Sequence, residues 1–93
     1  MRRLAFVLMM MAAGSALEPA RAAFLKGNFQ EAIRLAEPHV KDEPDQAWRL
    51  MGGSWCFLKD KAGAMKAWNN LDPKGRAFLK YACSRNGIEL PDL

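Results

Sequence analysis

The amino-acid sequence predicts an all-α protein, an antiparallel helix-turn-helix stack of about four helices that follows a cleavable N-terminal signal segment. Two observations lead to this prediction. Apolar residues recur three and four positions apart in several segments, whereas the alternating pattern of strands is nearly absent. Short polar stretches with glycine, proline or asparagine separate these segments. The 93 residues leave room for one domain.

The N-terminal residues 1–22 are predicted to be a signal peptide, which leaves residues 23–93 as the helical domain. Two arginines precede an unbroken apolar run at residues 4–13. That run is shorter than the roughly 20 residues that cross a bilayer as a helix, but it suits a secretory signal. We therefore expect an exported protein, periplasmic or secreted, that contacts the membrane only through this segment before cleavage.

Small side chains mark two sites where a signal peptidase can cut. Ala20 and Ala22 form the pattern of two small residues separated by one other residue, and this favours cleavage after Ala22. Cleavage after Ala16, with Gly14 as the other small residue, is the alternative. An uncleaved membrane anchor is a further alternative.

Composition argues against several classes of function. Residues 23–93 carry 11 basic and 9 acidic side chains, a net charge of +2, and no run of lysine and arginine that would follow a phosphate backbone. We therefore expect no nucleic-acid partner. His39 is the only histidine and the two cysteines lack zinc-site spacing, so neither a metal nor another cofactor is predicted. No Ser/His/Asp or Cys/His arrangement is present, and the chain is predicted not to be an enzyme.

Cys56 and Cys83 form an even pair in a chain that is expected to reach an oxidising compartment. This favours a disulfide between them. The alternative is that both are buried thiols that pack as small apolar side chains.

Turn residues divide the predicted domain into helices. The first helix follows Gly27 and ends or bends at Pro38. The second helix covers about residues 46–58, with Asp45 as its N-terminal cap. Its two central glycines, at positions 52 and 53, cost about 1 kcal/mol each relative to alanine, which indicates that another helix approaches closely there.

Two further helices are predicted after this point. The third covers about residues 62–70, and the fourth begins at Pro73 after the cap residue Asp72. The fourth helix stops at Gly87, after which three apolar residues can fold back onto the helices: Ile88, Leu90 and Leu93.

The second and third helices carry a repeat-like pattern. The sequence W-x2-M-G-x2-W is followed by A-x3-W, and G-N-F-Q-E-A-I lies upstream. This pattern resembles the tetratricopeptide repeat (TPR), in which W-x2-L-G-x2-Y precedes A-x3-F. The resemblance implies that the matching residues pack helices against one another: Gly27, Phe29, Ala32, Trp48, Met51, Gly52, Trp55, Ala64 and Trp68. A ligand box built from the three tryptophans is the alternative.

The resemblance also implies a function, because TPR-like proteins bind partner segments on the face formed by the first helices of successive pairs. We expect a protein or peptide partner, bound by a groove that displays Gln46, Arg49, Lys74, Tyr81 and Arg85. These side chains could instead be ordinary solvated groups. A second hypothesis is a structural protein that self-associates through exposed repeat faces into a homo-oligomer.

Overall fold

The structure, a computed structural model, describes residues 16–92. In this range it contains five α-helices and no β-strand, which confirms the all-α class. The helices are α1 (Glu18–Leu25), α2 (Phe29–Ala36), α3 (Pro44–Phe57), α4 (Lys61–Asn69) and α5 (Pro73–Ser84), and a 3-10 turn (Glu37–His39) follows α2. The apolar run at residues 4–13 and Leu93 lie outside the described residues.

Local signals account for most helix ends. Helix α2 gives way to the 3-10 turn that contains Pro38, as predicted. The Asp72 carboxylate caps α5, also as predicted, by accepting a hydrogen bond of 2.8 Å from the Gly75 amide. Asp60 caps α4 in the same way, over 3.0 Å from the Gly63 amide. Three-residue spacing between the acceptor and the amide is the usual geometry of a helix cap.

The predicted cap of α3 is wrong. Helix α3 begins at Pro44, so Glu43 occupies the cap position and makes no side-chain cap hydrogen bond. Proline suits the first helical position, because its missing N–H would lack a partner there in any case. Asp45 therefore lies inside the first turn, where its carboxylate is 3.3 Å from Arg49 Nε.

Helix α1 is an addition to the four predicted helices. It spans the favoured cleavage site after Ala22 and has Pro19 in its first turn. Leu17 and Ala20 are fully buried, and Ala23 is nearly so. Helix α1 packs against α2 and α3, because its small residues let the neighbouring backbones approach. Of the two small residues that predicted this cleavage site, Ala20 thus lies on the packed face of a helix, whereas Ala22 is exposed.

Helix α3 lies at the centre of the fold and contacts every other α-helix. Two clusters of buried side chains flank it. The first comprises Leu17, Ala20, Ala36, Ala47, Leu50 and Met51. The second comprises Cys56, Ala64, Ala67, Trp68, Leu71, Leu79, Ala82, Cys83, Ile88 and Leu90. Trp48 and Trp55 pack against both clusters and so join them.

The two glycines of α3 let neighbouring helices approach, as predicted from the free energy that glycine costs inside a helix. A β-carbon on Gly52 would lie 2.7 Å from Leu79 Cδ1 and 2.8 Å from the Ala67 methyl group. A β-carbon on Gly53 would lie 3.3 Å from the Phe24 ring. Gly52 thus lets α4 and α5 approach, whereas Gly53 leaves room for a side chain of α1.

A disulfide links α3 to α5. Cys56 and Cys83 are bonded, with their Cα atoms 4.6 Å apart, and the predicted pairing is confirmed. The chain after α5 then turns back as predicted, and Ile88 and Leu90 are buried in the second cluster. Lys80 Nζ donates hydrogen bonds to the carbonyl oxygens of Leu90 and Pro91, which hold this tail against α5.

Candidate partner-binding groove

Three phenylalanines from three helices meet at one end of the fold. The rings of Phe29 and Phe57 are stacked, with their centroids 4.7 Å apart. The Phe24 ring meets both edge-on, at 5.5 Å from Phe29 and 5.8 Å from Phe57. Both arrangements are favourable for aromatic pairs, so these contacts hold α1, α2 and α3 together.

An apolar cavity opens beside these rings, between α1, α3 and α5. Its volume is about 220 Å³, and we call it the aromatic cavity, lined by Phe24, Phe57, Phe78, Tyr81, Ala82 and Arg85. Tyr81 is 64% exposed, Phe57 44% and Phe78 39%. Exposed apolar area gathered in one place is typical of interaction surfaces.

A second cavity adjoins the first. Its volume is about 170 Å³, and we call it the basic cavity, lined by Arg21, Phe24, Gln46, Arg49, Leu50 and Phe78. The two cavities share Phe24 and Phe78 as lining residues and therefore lie side by side. We refer to both together as the groove.

The charged side chains that line the groove are three arginines. Arg21 is paired with Glu18, one turn earlier in α1, over 3.2 Å. Arg49 Nε lies 3.3 Å from the Asp45 carboxylate, yet its N–H makes no hydrogen bond although the atom is buried. The distance allows an ion pair, but the N–H direction does not suit a hydrogen bond. Arg49 thus retains a donor without an acceptor.

Arg85 differs from the other two arginines because no carboxylate in the described part of the chain pairs with it. Its guanidinium carbon lies 5.5 Å from the centroid of the Tyr81 ring, and its Nη1 donates to the Tyr81 hydroxyl over 3.3 Å. The tyrosine therefore positions the guanidinium by a cation–π contact and leaves its charge unneutralised.

The structure places four of the five predicted groove residues in the groove. Gln46 and Arg49 line the basic cavity, and Tyr81 and Arg85 line the aromatic cavity. Lys74 is exposed in the first turn of α5 and lines neither cavity.

Sequence reasoning missed the phenylalanines and one arginine of the groove. Neither Phe57 nor Phe78 was predicted as a groove residue. A signal was available on α5, because Phe78, Tyr81 and Arg85 recur three and four residues apart and so share one face. No comparable signal marked Arg21 and Phe24, since α1 itself was not foreseen.

Eight of the nine residues assigned to repeat packing are buried or contact another helix, whereas Gly27 is exposed and a β-carbon there would meet no atom within 4 Å. Ala32 and Ala64 are fully buried, and Met51 and Trp68 are nearly so. Gly27 adopts a positive φ of 84° in the turn between α1 and α2, a backbone conformation that glycine favours. Phe29 stacks on Phe57, Gly52 faces α4 and α5, and the remaining two residues, Trp48 and Trp55, join the core clusters.

Electrostatic effects are also found outside the groove. On α2, Arg34 Nε donates a hydrogen bond of 2.9 Å to Glu31 Oε1. This bond lowers the pKa of the Glu31 carboxyl and raises the pKa of the Arg34 guanidinium. Both groups are exposed, so the pair mainly stabilises the surface of its own helix.

Residues 16–92 contain no cluster of three or more histidine, cysteine, aspartate and glutamate side chains suited to a metal ion. Within the same range, no helix has the length and apolar character needed to cross a membrane. Comparison of the chain with protein-family models, curated proteins and solved structures finds no match. The groove is therefore the feature of the molecule from which a function can be proposed.

Proposed function

We propose that this chain is an exported, TPR-like interaction protein whose groove binds an extended peptide segment, with an apolar side chain in the aromatic cavity and carboxylates beside the arginines. One observation supports this most directly: exposed aromatic rings and an unneutralised Arg85 line the same cavity. Apolar contact and positive charge together select a ligand that offers both an apolar and an acidic group.

The apolar part of the groove favours binding because its rings are still in contact with water. Covering apolar surface contributes about 25 cal/mol per Å² of area removed from water. Tyrosine and arginine are also among the residues that contribute most at protein interfaces. Tyr81 and Arg85 supply both types in one cavity.

The charged part of the groove favours an acidic partner. Arg85 offers a guanidinium without a carboxylate, and Arg49 offers a buried N–H without an acceptor. Hydrogen bonds between guanidinium and carboxylate groups are short and strong because both partners are charged. A peptide with aspartate or glutamate next to an apolar side chain would satisfy these donors.

The order of the helices along the chain supports the TPR-like interpretation. Helix α1 packs against α2, and α3 packs against α4. The groove is lined by α1, α3 and α5, which are the first members of successive pairs in that scheme. Helical-repeat proteins commonly bind partners on the surface formed by such helices.

The proposal can be tested by selecting peptides from a random library displayed on phage, with the purified, disulfide-bonded protein as the target. We expect selected peptides to combine a large apolar residue with aspartate or glutamate. Binding of one synthetic selected peptide is then measured by isothermal titration calorimetry. We expect Tyr81→Ser and Arg85→Glu each to weaken it at least about tenfold, which is about 1.4 kcal/mol.

Lys66→Glu is the matched control for Arg85→Glu, because it makes the same change of charge at an exposed position on α4. We expect this control to change affinity little. The proposal is overturned if the wild-type protein enriches no peptides beyond those enriched by the double variant that carries Tyr81→Ser and Arg85→Glu. It is also overturned if Lys66→Glu weakens binding as much as Arg85→Glu.

A second candidate function is self-association, which a different observation favours. Leu25 is 77% exposed at the end of α1, and Leu58 and Phe57 are exposed at the end of α3. Exposed apolar side chains near one end of the molecule can pair with a second copy. Sedimentation velocity over a hundredfold range of concentration separates the two functions, since an adaptor stays monomeric and a self-associating protein does not.

A further inference from the structure

Helix α1 is an integral part of the core. Leu17, immediately before the helix, and Ala20, within it, are fully buried in the first core cluster. The Arg21 amide donates a hydrogen bond of 2.9 Å to the Leu17 carbonyl oxygen, which closes the first turn. Removal of these residues would expose the apolar side chains that they cover on α2 and α3.

The end of α1 also builds the groove. Arg21 lines the basic cavity, and Phe24 lines both cavities and contacts the rings of Phe29 and Phe57. Phe24 holds this position because it belongs to a helix that is anchored by Leu17 and Ala20. Cleavage after Ala22 would leave only residues 23–25 of α1, too few for even one turn of helix.

We infer that signal peptidase cleaves this chain between Ala16 and Leu17, so that the exported protein retains the whole of α1. This inference rests on the proposed export of the chain. Hydrolysis breaks the Ala16–Leu17 peptide bond, and water supplies the hydroxyl of the new Ala16 carboxyl group and a proton to the new Leu17 amine. The product begins one residue before α1.

Small residues alone do not distinguish the two sites, because Gly14 with Ala16 meets the same requirement as Ala20 with Ala22. Burial distinguishes them. Packing against α2 and α3 already accounts for a small side chain at Ala20, which is fully buried. Ala16 lies before the helix and is exposed, so a cut there removes no buried side chain of residues 16–92.

The test is to express the full chain with a C-terminal affinity tag in a Gram-negative host and to measure the intact mass of the periplasmic product. We expect a species that has lost the first 16 residues and retains its disulfide. A wild-type product that begins at Ala23 would overturn the inference while leaving export intact. A precursor of full length in the cytoplasm would overturn both.

Two substitutions at exposed positions sharpen this test. Ala16→Lys places a long charged side chain next to the inferred scissile bond, and we expect loss of the mature species and accumulation of the precursor. Ala22→Lys is the matched control, since Ala22 is exposed on α1, and we expect cleavage after Ala16 to continue. The opposite pattern, in which only Ala22→Lys blocks processing, would overturn the inference. Peptide binding by the purified product tests the groove separately.

Discussion

Gly52 is a residue of α3 against which both α4 and α5 pack. Its missing side chain leaves space that the Ala67 methyl group and the end of Leu79 already occupy. The Ala67 methyl cannot move without α4, because it is attached directly to the backbone. The two glycines of α3 therefore have different roles, since the neighbour of Gly53 is a half-buried ring that can shift.

We predict that Gly52→Ala destabilises the protein by up to about 2 kcal/mol. Overpacking costs about 1–3 kcal/mol, and the higher helix propensity of alanine returns about 1 kcal/mol. Gly53→Ala is the matched control, and we expect it to leave stability unchanged or to raise it by up to about 1 kcal/mol, because the Phe24 ring can yield and alanine favours the helix. Urea unfolding followed by circular dichroism measures both variants. An equal or larger loss for Gly53→Ala would contradict this assignment.

The capping carboxylate of Asp72 is the second residue whose role can be measured. We predict that Asp72→Ala lowers the free energy of unfolding by about 1 kcal/mol, because the Gly75 amide loses its acceptor. Asp72→Asn retains an acceptor oxygen and should lose far less. If thermal unfolding shows the two variants to be equally destabilised, the effect comes from the charge and not from the cap.

Helix α1 shows how an element can depend on packing more than on its own sequence. It has only eight residues, which is too short to be stable as an isolated helix in water. Its stability must therefore come from burial of Leu17, Ala20 and Ala23 against α2 and α3. The same dependence makes α1 sensitive to single substitutions on its buried side.

We predict that Leu17→Ala in the purified exported protein lowers the free energy of unfolding by about 2–5 kcal/mol, because it empties a fully buried site. Leu25→Ala is the control on the same segment, and we expect a change within about 0.5 kcal/mol since Leu25 is 77% exposed. Chemical unfolding curves measure both. Similar effects of the two substitutions would mean that α1 does not pack as described.

The disulfide ties α5 to α3 and thereby supports one wall of the groove. We predict that replacing both Cys56 and Cys83 by alanine lowers the free energy of unfolding by about 3–4 kcal/mol, mainly because the unfolded chain gains conformational entropy. Adding reductant to the wild-type protein should lower its free energy of unfolding by a similar amount, seen as a lower urea midpoint. Reductant should leave the double variant unchanged, and a shift there would show that the effect does not come from this bond.

The molecule as a whole has two core clusters that α3 connects. Trp48 and Trp55 are half-buried and contact both clusters, so the two clusters are joined through these side chains. A domain of this size buries a modest fraction of its surface, and it needs both clusters and the disulfide for stability. The groove lies over the same helices, which gives it walls held by the shared core.

We predict that the two clusters unfold together. Tryptophan fluorescence reports on the junction and on Trp68 in the second cluster, whereas far-UV circular dichroism reports on all helices. Coincident urea transitions for the two signals would show a single cooperative unit. A helical signal that is lost before the fluorescence changes would contradict this, and would indicate that α1 and α2 unfold separately.

A feature of this protein could be predicted from the sequence when it depends on residues near one another in the chain. The all-α class, the breaks between α2 and α5, the Asp72 cap and the cysteine pair depend on residue types and on spacings along the chain, so they could be predicted. The cap of α3 was missed because Asp45 and Pro44 are competing local signals one residue apart. Arg49, Tyr81 and Arg85, which the resemblance to paired helices predicted for a binding groove, line the two cavities, and their role in binding stays a prediction.

Residue types and local spacing were enough to predict α2 to α5, the turns between them and the cysteine pair, because these depend on backbone preferences and on the number of cysteines. Long-range packing was needed to show that α1 belongs to the core and that Phe24, Phe57 and Phe78 line one cavity. A small residue at position 20 suits both a peptidase signal and a packed helix face. Distinguishing these roles requires knowing which helix lies opposite, and that depends on contacts between residues far apart in the chain.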